Sequence, residues 1–277
     1  AMTYFDVRLP GLKMTVVAAD GQYVHPVTVD ELRIAVAETF DVIVEPSGQD
    51  AFTIFAQAMD RTGWAAGTLA VREGLLAAVP KLDPRPFLTM ADMGHGAMGS
   101  DMSATASPVD PHAGHTVPAT PAVPADPHAG HVMPAPTPAI DPHAGHSTSV
   151  PAGGVPSHPA SESGNPLVDM QTIAPTSRFD DPGIGLRSNG RRVLTYGDLR
   201  SLFEDPDGRE PARTIELHLT GHMERFAWSF DGVKFSSAQP LRLTYGERLR
   251  LVLVNDSMMS HPIHLHGMWS DVEDDTG

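Results

Sequence analysis

Apolar positions recur with a period of two over several short stretches of this chain, and turn residues interrupt them. Met14-Thr15-Val16-Val17-Ala18-Ala19 runs into the turn dipeptide Asp20-Gly21. Phe40, Val42 and Val44 alternate with Asp41, Ile43 and Glu45, and Pro46-Ser47-Gly48 separates them from a second alternating set, Phe52, Ile54, Ala56 and Ala58. The pattern returns late in the chain. Ile215, Leu217 and Leu219 alternate with Glu216 and His218, and Trp228-Ser229-Phe230 leads into Asp231-Gly232. Leu241 and Leu243 flank Arg242, and Leu249, Leu251 and Leu253 flank Arg250 and Val252. Short strands with such turns predict antiparallel β-sandwich or barrel structure rather than βαβ units. Val29 to Phe40 carries a competing helical reading, because its Ala, Glu and Leu favour helices.

Between these β regions the composition changes. No Phe, Tyr or Trp occurs between Thr89 and Arg178, where Pro, Ala, Gly, Ser, His and Met dominate. A segment of that kind buries too little apolar area to offset its chain entropy, so a disordered linker is expected. The predicted organisation is a β domain over 1–85, a Met/His/Pro-rich linker over 86–186 and a second β domain over 187–277. The hexapeptide Asp-Pro-His-Ala-Gly-His begins at Asp110, Asp126 and Asp141. Thr3 to Met14 already reads as mid-domain sequence, and Ser270 to Gly277 lacks a closing element. Both ends are therefore expected to be cuts in a longer protein.

Charge and composition narrow the chemistry. The formal charge is −15 over 277 residues, which argues against nucleic acid or an anionic membrane surface as partner. No apolar run approaches the ~20 residues of a membrane span. Cysteine is absent, which removes disulfides, thiolate zinc sites and a complete blue-copper site from these residues.

The strongest chemical signal is His261-Pro262-Ile263-His264-Leu265-His266-Gly267. Imidazole is a good ligand for copper, iron, nickel and zinc. On an extended chain, residues two apart share a side and residues three apart oppose each other. His264 and His266 are thus expected to serve one metal cluster, with His261 turned toward another centre nearby. The bland alternative is three solvated histidines, against which their density beside Pro and Gly argues. His25, His158 and His218 read instead as ordinary surface or hydrogen-bonded histidines, His218 on the polar face of its strand. Met258 and Met259 read as core residues or as the lining of a Cu(I) path.

The triplet resembles the first histidine motif of the last cupredoxin domain in multicopper oxidases. Val254-Asn255-Asp256-Ser257-Met258-Met259 is similar to the periplasmic copper-resistance branch of that family, the CopA-like oxidases. So are Met223-Glu224-Arg225, Trp228 to Gly232 and Leu12 to Gly21; His222 departs from that branch, where an asparagine is expected. The resemblance implies two incomplete cupredoxin-like β-sandwich domains joined by the linker. It assigns His261 to a type 1 copper, His264 to the type 2 copper and His266 to one of the type 3 pair. It further implies four copper ions per intact protein, a Cu(I)-like electron donor, dioxygen as oxidant, a periplasmic location and contact with periplasmic copper-delivery proteins. The family's other ligands, two His-x-His pairs and a Cys-His motif, have no counterpart in these residues. Two rival readings stand beside this one: a non-enzymatic copper-sequestering protein, and another cupredoxin enzyme such as a laccase-like phenol oxidase or a nitrite reductase.

The linker offers a second kind of metal chemistry. Met90, Met93, Met98 and Met102 surround His95, and thioether suits Cu(I). The pairs His112 with His115, His128 with His131, and His143 with His146 each enclose a glycine that lets the backbone fold back. Many weak sites on one tether raise the local metal concentration. The alternative is a passive spacer.

Overall fold

The computed structural model describes residues 3–87, 92, 157–173 and 175–273. Among these, ten β-strands and two single-turn 3-10 segments form, and no α-helix. No helix of the described residues is long and apolar enough to cross a membrane.

Seven strands lie in the first half: β1 (Phe5–Arg8), β2 (Met14–Ala19), β3 (Gln22–Val29), β4 (Glu31–Ile34), β5 (Phe40–Ile43), β6 (Ala51–Ala58) and β7 (Trp64–Ala70). They form one sheet in the order β4-β1-β6-β7 and another in the order β3-β2-β5, with every pairing antiparallel. The Asp20-Gly21 turn closes the β2–β3 hairpin with φ of 46° and 78°, the left-handed pair that a tight two-residue hairpin turn requires. The helical alternative for Val29 to Phe40 is not realised, because Glu31 to Ile34 pairs with β1. Strand pairing there overrides local helix propensity.

The core joins the two sheets. Met14 and Val16 of β2, Val24 and Val29 of β3, Leu32 of β4 and Phe52 of β6 pack in one buried cluster. Leu194 packs into it from far along the chain. Its neighbour Val193 forms a parallel bridge to Glu31, and Ser201 bridges to Val24. Residues near 190–200 thus complete the first sandwich.

Strand β6 is covered on both faces, which the alternation of Phe52, Ile54, Ala56 and Ala58 does not anticipate. Ile54 is 43% exposed, whereas Phe55 on the opposite face is fully buried. The cover is the segment after β7. Thr53 Oγ1 donates to the Ala78 carbonyl at 2.7 Å, and the Asp83 amide donates to Gln57 Oε1 at 3.1 Å.

Buried charges accompany that cover. Glu31 is fully buried and pairs with Arg8 at 3.2 Å and Arg191 at 2.7 Å. Asp83 accepts from the same two arginines at 2.6 and 2.8 Å. Asp6, also fully buried, holds Arg33 at 2.7 Å and Arg61 at 2.5 Å. Such networks contribute little net stability when intact, but removing one partner strands a buried charge.

The second half carries β8 (Arg213–His222), β9 (Ala227–Phe230) and β10 (Leu249–Asn255), in the order β10-β8-β9. β10 runs parallel to β8, while β9 is antiparallel to it. Leu241 and Leu243 join no strand, and both are exposed. Residues 157–173, which composition groups with the linker, pack on this sheet: Ser161 Oγ donates to the Asp231 carbonyl at 2.7 Å, and Asn165 Nδ2 donates to the Gly232 carbonyl at 2.9 Å.

Glu31→Ala is expected to destabilise the chain by about 3–5 kcal/mol. Urea unfolding checks this, and a loss under about 1 kcal/mol would show that Arg8 and Arg191 find other partners.

Candidate metal centre

The central strand β8 and its parallel neighbour β10 position the histidine triplet. After Asn255 the chain turns tightly. Asn255 Nδ2 donates to the Met259 carbonyl at 2.7 Å, and the Ser257 amide donates to Asn255 Oδ1 at 3.0 Å. Ser257 Oγ lies 2.5 Å from His261 Nε2. On its other side His261 meets the Trp228 ring edge-on, with centroids 5.0 Å apart. Trp228 pairs with Gly221 across the β8–β9 ladder, and a Cβ at Gly221 would collide with its ring. Glycine at 221 is therefore what allows the indole to lie over the strand and support His261. Burial holds the His261 pKa below its ordinary value, favouring the neutral imidazole that can bind metal.

His264 and His266 are exposed, and their rings meet edge-to-face with centroids 4.9 Å apart. They share one side of the chain, as spacing predicts, although no strand forms over 261–267. Met258 is exposed rather than core, and Met259 is half-buried. The three imidazoles fit copper by donor type. His264 and His266 sit together, while His261 is held separately by Ser257 and Trp228.

A second constellation escapes spacing arguments altogether. His218, expected on a polar face, is only 1% exposed. Its Nδ1 lies 2.6 Å from Asp256 Oδ2, and its Nε2 lies 3.1 Å from Glu216 Oε1. His158 approaches it from residues 157–173, with ring centroids 4.8 Å apart. His158 Nδ1 lies 3.1 Å from Glu162 Oε2 and 3.3 Å from Asp256 Oδ2. Glu162 and Asp256 are both buried. Asp231 braces the group from the β9 turn, accepting the His218 amide at 2.8 Å and donating its own amide to the His218 carbonyl at 2.8 Å. Burial alone would lower the His218 pKa. The hydrogen bonds to Asp256 and Glu216, with the charges of Asp256 and Glu162, outweigh it and raise the value to about 9. These four residues come from positions 158, 162, 218 and 256, so only the folded chain unites them. The hints in the sequence were small: a histidine between Leu217 and Leu219, and an i,i+4 His-Glu pair. His25, by contrast, is exposed as expected.

The linker candidates Met90, Met93, His95, Met98, Met102, His112, His115, His128, His131, His143 and His146 lie outside the described residues.

Residues 1–74 and 208–277 each match a multicopper oxidase family, so both β regions carry that class. Copper resistance protein A of Escherichia coli is 64% identical over 294 aligned positions, covering 100% of this chain and 46% of that protein. Copper resistance protein A of Pseudomonas syringae pv. tomato is 66% identical, again over 100% of this chain and 46% of the relative. The chain belongs to the copper resistance protein A family of multicopper oxidases. It spans about half the length of these curated relatives. The crystal structure of Fet3p, a multicopper oxidase that functions in iron import, overlaps 30% of this chain and 17% of that one, at 21% identity and a TM-score of 0.25.

The raised His218 pKa sets a pH window for the chelator-treated chain. Its contribution to stability is complete below the ordinary histidine value of 6.5 and is lost as pH rises through about 9. The unfolding midpoint is expected to fall across that window in the parent and to fall less in Asp256→Asn, which weakens the pairing. Parallel pH profiles would contradict this. Gly221→Ala should displace Trp228 from His261, seen as a changed indole fluorescence maximum; an unchanged spectrum would show that the ring tolerates the methyl.

Proposed function

We propose that the chain supplies one histidine to a type 1 copper and two to a trinuclear copper cluster of a dioxygen-reducing oxidase. His261 is the type 1 ligand, His264 the type 2 ligand and His266 a type 3 ligand. The observation that carries the reading is the separate seat of His261, against Trp228 and Ser257, beside the paired rings of His264 and His266. Copper bound at such centres supplies one-electron oxidation of a donor and multi-electron reduction of dioxygen to water.

The roles of the chain's own residues follow from their contacts. Ser257 and Trp228 fix the His261 ring before metal arrives, which lowers the ordering cost of ligation. The covalent path from His261 through Pro262 and Ile263 to His264 links the two centres. The type 1 thiolate comes from sequence other than these residues, since they contain no cysteine. The donor in this proposal is Cu(I), the complete protein carries four copper ions, and its setting is the periplasm, where copper-delivery proteins hand over the metal. The linker methionines and histidines serve as a capture tether. This reading is supported by the family's copper chemistry and by the soft thioether donors beside imidazoles.

The protein encoded by the complete reading frame tests these assignments. His261→Ala is expected to abolish the blue thiolate–copper band while leaving a type 2 resonance signal. His264→Ala and His266→Ala should keep the blue band and lose donor-driven dioxygen uptake. Retention of the blue band in His261→Ala would overturn the type 1 assignment. Dioxygen uptake preserved in both other variants would leave metal sequestration as the better account. Deleting residues 90–146 should lower copper stoichiometry sharply without removing the blue band; an unchanged stoichiometry would contradict the capture role.

A further inference from the structure

We infer that His158, Glu162, His218 and Asp256 form a further metal site, one that takes a divalent first-row cation such as Zn(II) or Cu(II). It is distinct from the triplet, uses neither His261, His264 nor His266, and does not depend on their copper assignments.

Four features support it. First, the ligand atoms converge: one from each residue lies within 4.8 Å of all the others. Second, both imidazoles turn Nδ1 inward, toward Asp256 Oδ2, at 2.6 Å for His218 and 3.3 Å for His158. Third, each outward nitrogen has a partner that only accepts. His158 Nε2 donates to the Thr172 carbonyl at 2.9 Å, and His218 Nε2 donates to Glu216 at 3.1 Å. Outer partners of this kind place the proton on Nε2 and leave Nδ1 as the ligand, as they do for metal-bound histidines generally. Fourth, Glu162 Oε1 is buried without a hydrogen-bond partner and lies 3.9 Å from His218 Nδ1. Its other oxygen is already engaged by Gln171 at 2.8 Å.

Charge and geometry then select the ligand. Carboxylate oxygens accept and cannot donate, so the inward nitrogens meet them either as N–H donors or through a cation that displaces those protons. A divalent ion neutralises Glu162 and Asp256 together, whereas a single proton neutralises only one. Two imidazoles with two carboxylates suit zinc or copper(II), and too few oxygens are present for calcium or magnesium. Tetrahedral coordination at ~2.0–2.2 Å requires modest opening of the His218–Asp256 contact. His158 and Glu162 also line a surface cavity of about 430 Å³, which gives an ion a way in. Once bound, the ion would clamp residues 157–173 onto β8 and the end of β10.

The test uses the full chain with Zn(II) alone and Cu(II) alone. Parent, Glu162→Gln and His158→Gln are dialysed with each metal against a weak competing chelator, and bound metal is measured by elemental analysis. Each variant is expected to hold one equivalent less than the parent. Metal should raise the parent's thermal midpoint more than that of either variant. Co(II) should give the parent tetrahedral d–d bands that Glu162→Gln lacks. Glu162→Gln keeps shape and hydrogen-bonding capacity, so it separates lost ligation from lost folding; far-ultraviolet circular dichroism confirms its fold. Equal metal content and equal midpoint shifts in the parent and a folded Glu162→Gln would overturn the site. Displacement of Zn(II) by equimolar Cu(II), or its retention, identifies which ion the supported site prefers.

Discussion

The buried carboxylate of Asp256 is the joint on which the second half of the chain depends. Its amide donates to the Leu219 carbonyl at 2.9 Å, continuing the β10–β8 pairing past the last strand residue. Oδ1 accepts the Thr172 amide at 2.7 Å, and Oδ2 lies 2.6 Å from His218 Nδ1. One side chain thus ties the strand end, the 157–173 segment and the buried histidine together. A desolvated carboxylate is costly unless every lone pair is used, so these partners are mutually required. The turn that delivers His261 starts at the adjacent residue. The triplet is therefore anchored by a buried polar contact five residues upstream. The first half follows the same rule, with Asp6 and Glu31 buried among arginines from separate parts of the chain.

Much of this architecture was legible in the sequence. Met14 to Ala19 is β2 residue for residue, and Asp20-Gly21 and Asp231-Gly232 turn the chain where expected. Those features are local: alternation and turn chemistry need only neighbouring residues. The exceptions share a cause in tertiary cover. Phe55 is buried because the segment after β7 covers its face of β6. His218 is buried because residues 157–173 cover β8. Composition marks those residues as linker, since they lack aromatics, but Ser161, Asn165 and Thr172 hold the sheet by hydrogen bonds that hydrophobicity does not measure.

The candidate sites divide along the same line. The triplet is a run of six residues, so the pairing of His264 with His266 follows from spacing. The support of His261 by Trp228 and Ser257 does not, because it depends on Gly221 letting the indole lie across β8. The cluster of His158, Glu162, His218 and Asp256 is wholly non-local. A protein with both would carry a redox-linked histidine turn on a sheet that a second ion helps to lock.

In the proposed assignment, His261 serves one copper centre and His264 with His266 serve another. Copper-edge anomalous diffraction from crystals of the copper-loaded complete protein tests this most directly. One anomalous peak bonded to His261 and separate peaks bonded to His264 and His266 are expected. A single peak ligated by all three imidazoles, or density at none of them, would contradict it.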